Sequence, residues 1–83
     1  MIKEVKVKWV DSKFYSHEWL SAEDASHIDL GYCETYGFLI FENDRRIIIA
    51  QTQNIDCETF HNLMIIPRAC IKEINESSLD KKD

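Results

Sequence analysis

The stretch GFLIFENDRRIIIAQTQ, residues 37–53, constrains the fold more than any other part of the chain. Two apolar runs flank Asn43-Asp44, residue types that tolerate the left-handed backbone of a tight turn. The stretch therefore predicts a β-hairpin, with one strand from residue 32 to 42 and the next from 45 to 53. A two-residue turn would pair Glu42 with Arg45, Ile40 with Ile47 and Phe38 with Ile49 on one face. Gly37, Leu39 and Phe41 would then stand opposite Ala50, Ile48 and Arg46 on the other. A three-residue turn would shift that register. In either register both faces are apolar, which a half-exposed antiparallel sheet does not need. One face is core. The other has to be covered by a short helix of the same chain, by the 54–61 segment, or by another chain.

The remaining elements are short. Residues 2–10 alternate, with Val5, Val7 and Trp9 on one face and Glu4, Lys6 and Lys8 on the other, the period of a half-buried strand. Asp11-Ser12 is turn material, and KFYSHEWL, residues 13–20, alternates without saying which side is buried. Ser21 with Asp24 three residues on resembles a weak capping box, and Ala22, Ala25, Ile28 and Asp29 predict one or two helical turns ended by Gly31. Residues 54–61 read as a polar loop and 62–66 as a further strand, stopped by Pro67, which has no amide hydrogen to donate. PRAC predicts one tight turn, IKEI a last short strand, and the residues from 76 onward a frayed polar tail.

Several short strands and one brief helix in 83 residues are too few for a sandwich of typical size. They suit a mainly β domain over residues 1–75, a small SH3-like (Sm-like) five-stranded barrel with one short helix, whose closure would remove exposed edges. A strand, a one-turn helix and a short final strand, as in MIIPRACIKEI, is a recurrent close of SH3-like barrels. The succession VKWVDS, a tryptophan, YGFLIFENDRRIIIAQT and MIIPRACIKEI resembles a group of short phage and bacterial proteins over roughly residues 5–74. Arg68 departs from that pattern, where a lysine is usual. The resemblance implies a phage or mobile-element source and carries no catalytic residue with it.

Charge and residue usage narrow the functions. The net charge of −5 lacks the long-range field that draws proteins to phosphate backbones. Lys3, Lys6, Lys8 and Lys13 could still form a local basic face, although a solvated strand face is the plainer reading. The start MIKEVKVKW lacks the apolar run of a secretory signal, and no stretch approaches the roughly 18 apolar residues of a membrane helix. Cys33, Cys57 and Cys70 are an odd, widely spaced set, poor for a disulfide scaffold. A reduced cytoplasmic protein is the expectation.

Catalytic constellations are thin. Cys57 and His61 lie four apart, but a nucleophile also needs an orienting third group. Asp24, His27 and Asp29, or Asp56, Cys57, Glu58 and His61, lack the paired spacing of readable zinc sites. Glu42 with Asp44, and Glu73 with Glu76, are expected to be exposed, where nothing lifts a carboxyl towards neutrality. Gly31 and Gly37 are the only glycines, too few for a phosphate-cradling loop. No enzyme, cofactor or metal is expected. Of the aromatics, Trp9 and Phe38 are assigned to the core, while Tyr15, Trp19 and Tyr36 are open to a surface role. Residues 14–44 hold no lysine or arginine to accompany base stacking, so nucleic acid is an unfavoured partner.

What survives is a non-catalytic protein-binding or self-associating module, with a nucleic-acid-associated barrel as the alternative. The expected partner surface is Leu39, Phe41 and Ile48, joined by Tyr36 and Trp19, and the expected assembly is a homodimer.

Overall fold

The computed structural model describes residues 2–16 and 19–76. The expected polar tail lies, beyond Glu76, outside the described residues, as do His17 and Glu18 within KFYSHEWL. Five antiparallel strands form one sheet: β1 (Lys3–Asp11), β2 (Gly31–Glu42), β3 (Arg46–Asn54), β4 (Thr59–Pro67) and β5 (Ile71–Glu76), in the order β4-β3-β2-β1-β5. A single helix, α1 (Ala22–Ala25), lies between β1 and β2, and a 3-10 turn (Arg68–Cys70) joins β4 to β5. The mainly β composition, five strands and one short helix match the expectation. The sheet is not closed: β4 and β5 are its two edges, with no ladder between them.

The core sits on one face. Val5, Val7, Ile47, Ile49 and Ile66 form a fully buried cluster, with Trp9, Leu39, Ile71 and Ile74 packed against it. The alternation of β1 puts Val5 and Val7 there, opposite Gly37 and Thr35. Thr35 is a polar group inside this face. Its Oγ1 accepts the Trp9 indole N–H at 3.0 Å and lies 3.6 Å from the Met64 sulfur of β4, so β2 curls over towards β4.

That curl has a hinge. Only the second half of β2 pairs with β3, beginning at Phe38 opposite Ala50. At Gly37 an added Cβ would meet Ile49 Cγ2 at 2.7 Å and the Ala50 carbonyl carbon at 3.2 Å. The two backbones cross where a side chain would stand, which only glycine allows.

The structure settles three local features that the sequence left open or misplaced. The hairpin turn has three residues: Asn43 Oδ1 accepts the amides of Arg45 and Arg46, each at 2.9 Å, and β3 starts at Arg46. The helix is a single turn, capped by Ser21 Oγ on the Asp24 amide at 3.1 Å. Ser26 ends it by returning its hydroxyl to the Glu23 carbonyl at 2.6 Å, and Gly31 opens β2 instead of capping the helix. Finally, 54–61 is mostly strand and tight turn. The Glu58 amide closes on the Asn54 carbonyl at 2.8 Å with Glu58 at φ 56°, and β4 begins at Thr59.

Candidate functional site: the outer face of the sheet

The hairpin pairing decides which residues share a face. Phe38 opposes Ala50 and Leu39 opposes Ile49; after a bulge at Ile40, Phe41 opposes Ile48 and Glu42 opposes Ile47. One extra residue on β2 resets the alternation, because two residues of the bulged strand oppose one of its partner. Leu39 therefore joins Ile49 and Ile47 on the core face, where it packs against the buried cluster. It does not share a face with Phe41 and Ile48, as the two-residue turn implied. Phe38, assigned to the core from sequence, stands on the outer face with Glu4 and Ala50.

β4 extends the outer face. Ile48 opposes Ile65 and Ala50 opposes Leu63. Two apolar rows result, Phe41–Ile48–Ile65 and Phe38–Ala50–Leu63, directly paired across three strands. Ala50 is buried between them, yet Phe41, Leu63 and Ile65 remain 44%, 50% and 55% exposed. Leu63 and Ile65 belong to this patch and were missed by the sequence reading, which never paired β4. Their alternation with Met64 and Ile66 could have found them, since Ile66 is buried and its neighbour must face the other way.

The chain's own helix does not cover the patch. Every residue from 21 to 30 is exposed and α1 buries none of its side chains. The Ile55–Glu58 turn is likewise exposed. Among the described residues, nothing of this chain lies over the two rows.

Around the patch the charges are arranged at the hairpin end. The Arg46 guanidinium stands 5.1 Å from the centre of the Phe41 ring. Arg68 reaches back from the 3-10 turn, donating Nη2 to Glu42 Oε1 at 2.8 Å and Nε to the Asn43 carbonyl at 2.9 Å. Its own amide donates to the Arg45 carbonyl at 2.9 Å. This residue thus ties the end of β4 to the hairpin turn.

Tyr36 is exposed on the outer face opposite Lys6, its hydroxyl donating to Glu34 at 3.1 Å. That hydrogen bond, and then the carboxylate's charge, raise the Tyr36 pKa. Trp19 stands apart from both rows, fully exposed in the segment between β1 and β2. The structure brings Phe41 and Ile48 together, sets Tyr36 further along the same face, and separates Leu39 and Trp19 from them.

The lysines do not form one basic face. Lys3 opposes Leu39 and so lies at the rim of the core face, whereas Lys6 and Lys8 point outward with Tyr36 and Glu34. Lys3 pairs with Glu76 at 3.2 Å, and Lys8 lies about 4 Å from both Glu34 and Glu73. Cys57 is exposed with its sulfur 3.2 Å from Thr59 Oγ1, and His61 opposes Thr52 on the exposed side of β4. Among the described residues no three His, Cys, Asp or Glu side chains gather closely enough to hold a metal ion. No helix among them is long and apolar enough to cross a membrane.

Comparison with protein-family models, with curated proteins and with solved structures finds no match for this chain.

Proposed function

We propose that this chain is a non-catalytic binding module that associates with protein, foremost with another copy of itself, through the outer face of β2, β3 and β4. The observation that carries this reading is the pair of rows Phe41–Ile48–Ile65 and Phe38–Ala50–Leu63, apolar and uncovered by any described element of the chain. Among the described residues the fully buried core cluster holds five apolar side chains, all on the other face of the sheet, so the two rows lie outside it. Contiguous exposed apolar surface of this kind marks interfaces.

The curled sheet, with its 3-10 turn between β4 and β5 and the Thr35–Met64 approach across its interior, supports an SH3-like reading of the fold. The resemblance to short phage and bacterial proteins supports an accessory role in a phage or mobile element. Lys3 and Lys8 are already engaged by carboxylates, and Lys3 lies on the opposite face from Lys6 and Lys8, which argues against the nucleic-acid alternative.

Light scattering on the purified protein at micromolar concentration tests the reading, with Ile48→Asp beside it. A dimer is expected for the wild type. A charge at the centre of the row removes one buried isoleucine, about 1.5–3 kcal/mol, and adds a desolvation cost. The dissociation constant should rise by about a hundredfold or more. A wild-type chain that stays monomeric would sink the proposal.

A further inference from the structure

β1 and β2 pair directly up to Asp11 opposite Gly31, so a turn of about two to five residues would be enough to connect them. The connection instead uses residues 12–30. Connections of that length with little structure of their own are uncommon in small domains and are usually functional or disordered. Phe14, Tyr15, Trp19, Leu20, Ile28 and Leu30 are all exposed along this arm, Trp19 completely. The same chain thus carries two uncovered apolar features, an arm and a sheet face.

We propose that the arm, residues 12–30, docks on the outer face of a second copy of this chain, around Phe41, Ile48 and Ile65, and that the second copy returns the contact. The inference rests on the self-association reading and names the segment that makes the contact.

Charge favours the match. The arm holds Glu18, Glu23, Asp24 and Asp29 against Lys13, a net of −3. The hairpin end beside the patch holds Arg45, Arg46 and Arg68 against Glu42 and Asp44, a net of +1. Arg68 is tied to Glu42, and Arg46 borders the patch itself on the Phe41 ring.

Reach favours a second copy over the arm's own sheet. Phe41 lies ten residues along β2 from Gly31, roughly 33 Å measured along the strand at strand rise. Trp19 lies eight residues from Asp11, at most about 29 Å when fully stretched. Folding the arm back to the Phe41 row of its own sheet would draw the stretch from Asp11 to Trp19 taut. A neighbouring copy related by a two-fold axis imposes no such limit, and the reciprocal contact closes the assembly at two chains. Three aromatics bring on the order of 400 Å² per arm. Two arms on two faces then reach the roughly 1,200–2,000 Å² of total burial that specific interfaces use.

Trp19→Asp disables the arm and Ile65→Asp the face. Both side chains are exposed, so circular dichroism and thermal melting are expected to show unchanged folding in each. The wild type is expected to be a dimer by light scattering, and each variant to dissociate about a hundredfold more readily. An equimolar mixture of the two variants keeps one intact arm–face pair, and is expected to form a heterodimer at concentrations where neither variant dimerises alone. A Trp19→Asp protein as dimeric as the wild type would overturn the arm–face contact while leaving self-association standing, as would a mixture that forms no heterodimer. A monomeric wild type overturns both readings.

Discussion

Replacing Gly37 by alanine probes the crossing that lets the sheet curl. The new Cβ would stand 2.7 Å from Ile49 Cγ2 and 3.2 Å from the Ala50 carbonyl carbon, well inside ordinary van der Waals contact. Ile49 is fully buried and Ala50 contributes backbone, so neither can swing aside as an exposed side chain would. Overpacking of this kind costs about 1–3 kcal/mol. The reduced freedom of the unfolded chain returns about 0.4–1 kcal/mol. A net loss of about 1–1.5 kcal/mol remains, a sizeable share for a domain whose whole stability is on the order of 4–12 kcal/mol. For a chain of this size it lowers the melting temperature by about 4–12 °C. Gly31→Ala supplies the control: its Cβ would meet nothing closer than 3.5 Å, and its effect should be neutral or slightly stabilising. Thermal and urea unfolding of the two variants side by side decide the matter. Equal stability of Gly37→Ala and Gly31→Ala would refute the close crossing, and with it the account of how the sheet bends.

Three further outcomes follow from the same geometry. Thr35→Val leaves the Trp9 indole N–H without its 3.0 Å acceptor in a partly buried site, and should cost about 1–3 kcal/mol by urea unfolding. Arg68→Lys keeps the charge but exchanges a guanidinium that serves both Glu42 and the Asn43 carbonyl for a point charge; on this half-exposed site a loss of about 1 kcal/mol is expected. The Glu73 carboxylate accepts a 2.7 Å hydrogen bond from Asn75, and this contact first, then Lys8, lowers its pKa. A depressed carboxylate pKa stabilises the fold above the unfolded-state value, and that contribution is lost as pH falls through the folded one. In an NMR titration Asn75→Ala should therefore move the Glu73 midpoint upward.

Much of the fold was legible because period-two alternation is a local property. Val5, Val7 and Trp9 lie on the core side as their spacing implied, and Pro67 ends β4. Ser21 caps its helix because the cap needs only its neighbours. The hairpin's second apolar face was legible too, since two adjacent runs of isoleucine, leucine and phenylalanine outnumber the positions that one face can hold.

Membership of the faces was not legible. The bulge at Ile40 shifts the pairing by one position, and one position exchanges core for surface. Leu39 went inward and Phe38 outward for that reason alone. The composition of the outer patch also needed β4, whose Leu63 and Ile65 are near Ile48 only through pairing of distant residues. The sequence by itself determined a small β domain with more apolar surface than its core can absorb. Only the tertiary structure decided where the excess lies, because strand register is a long-range choice that no local pattern records.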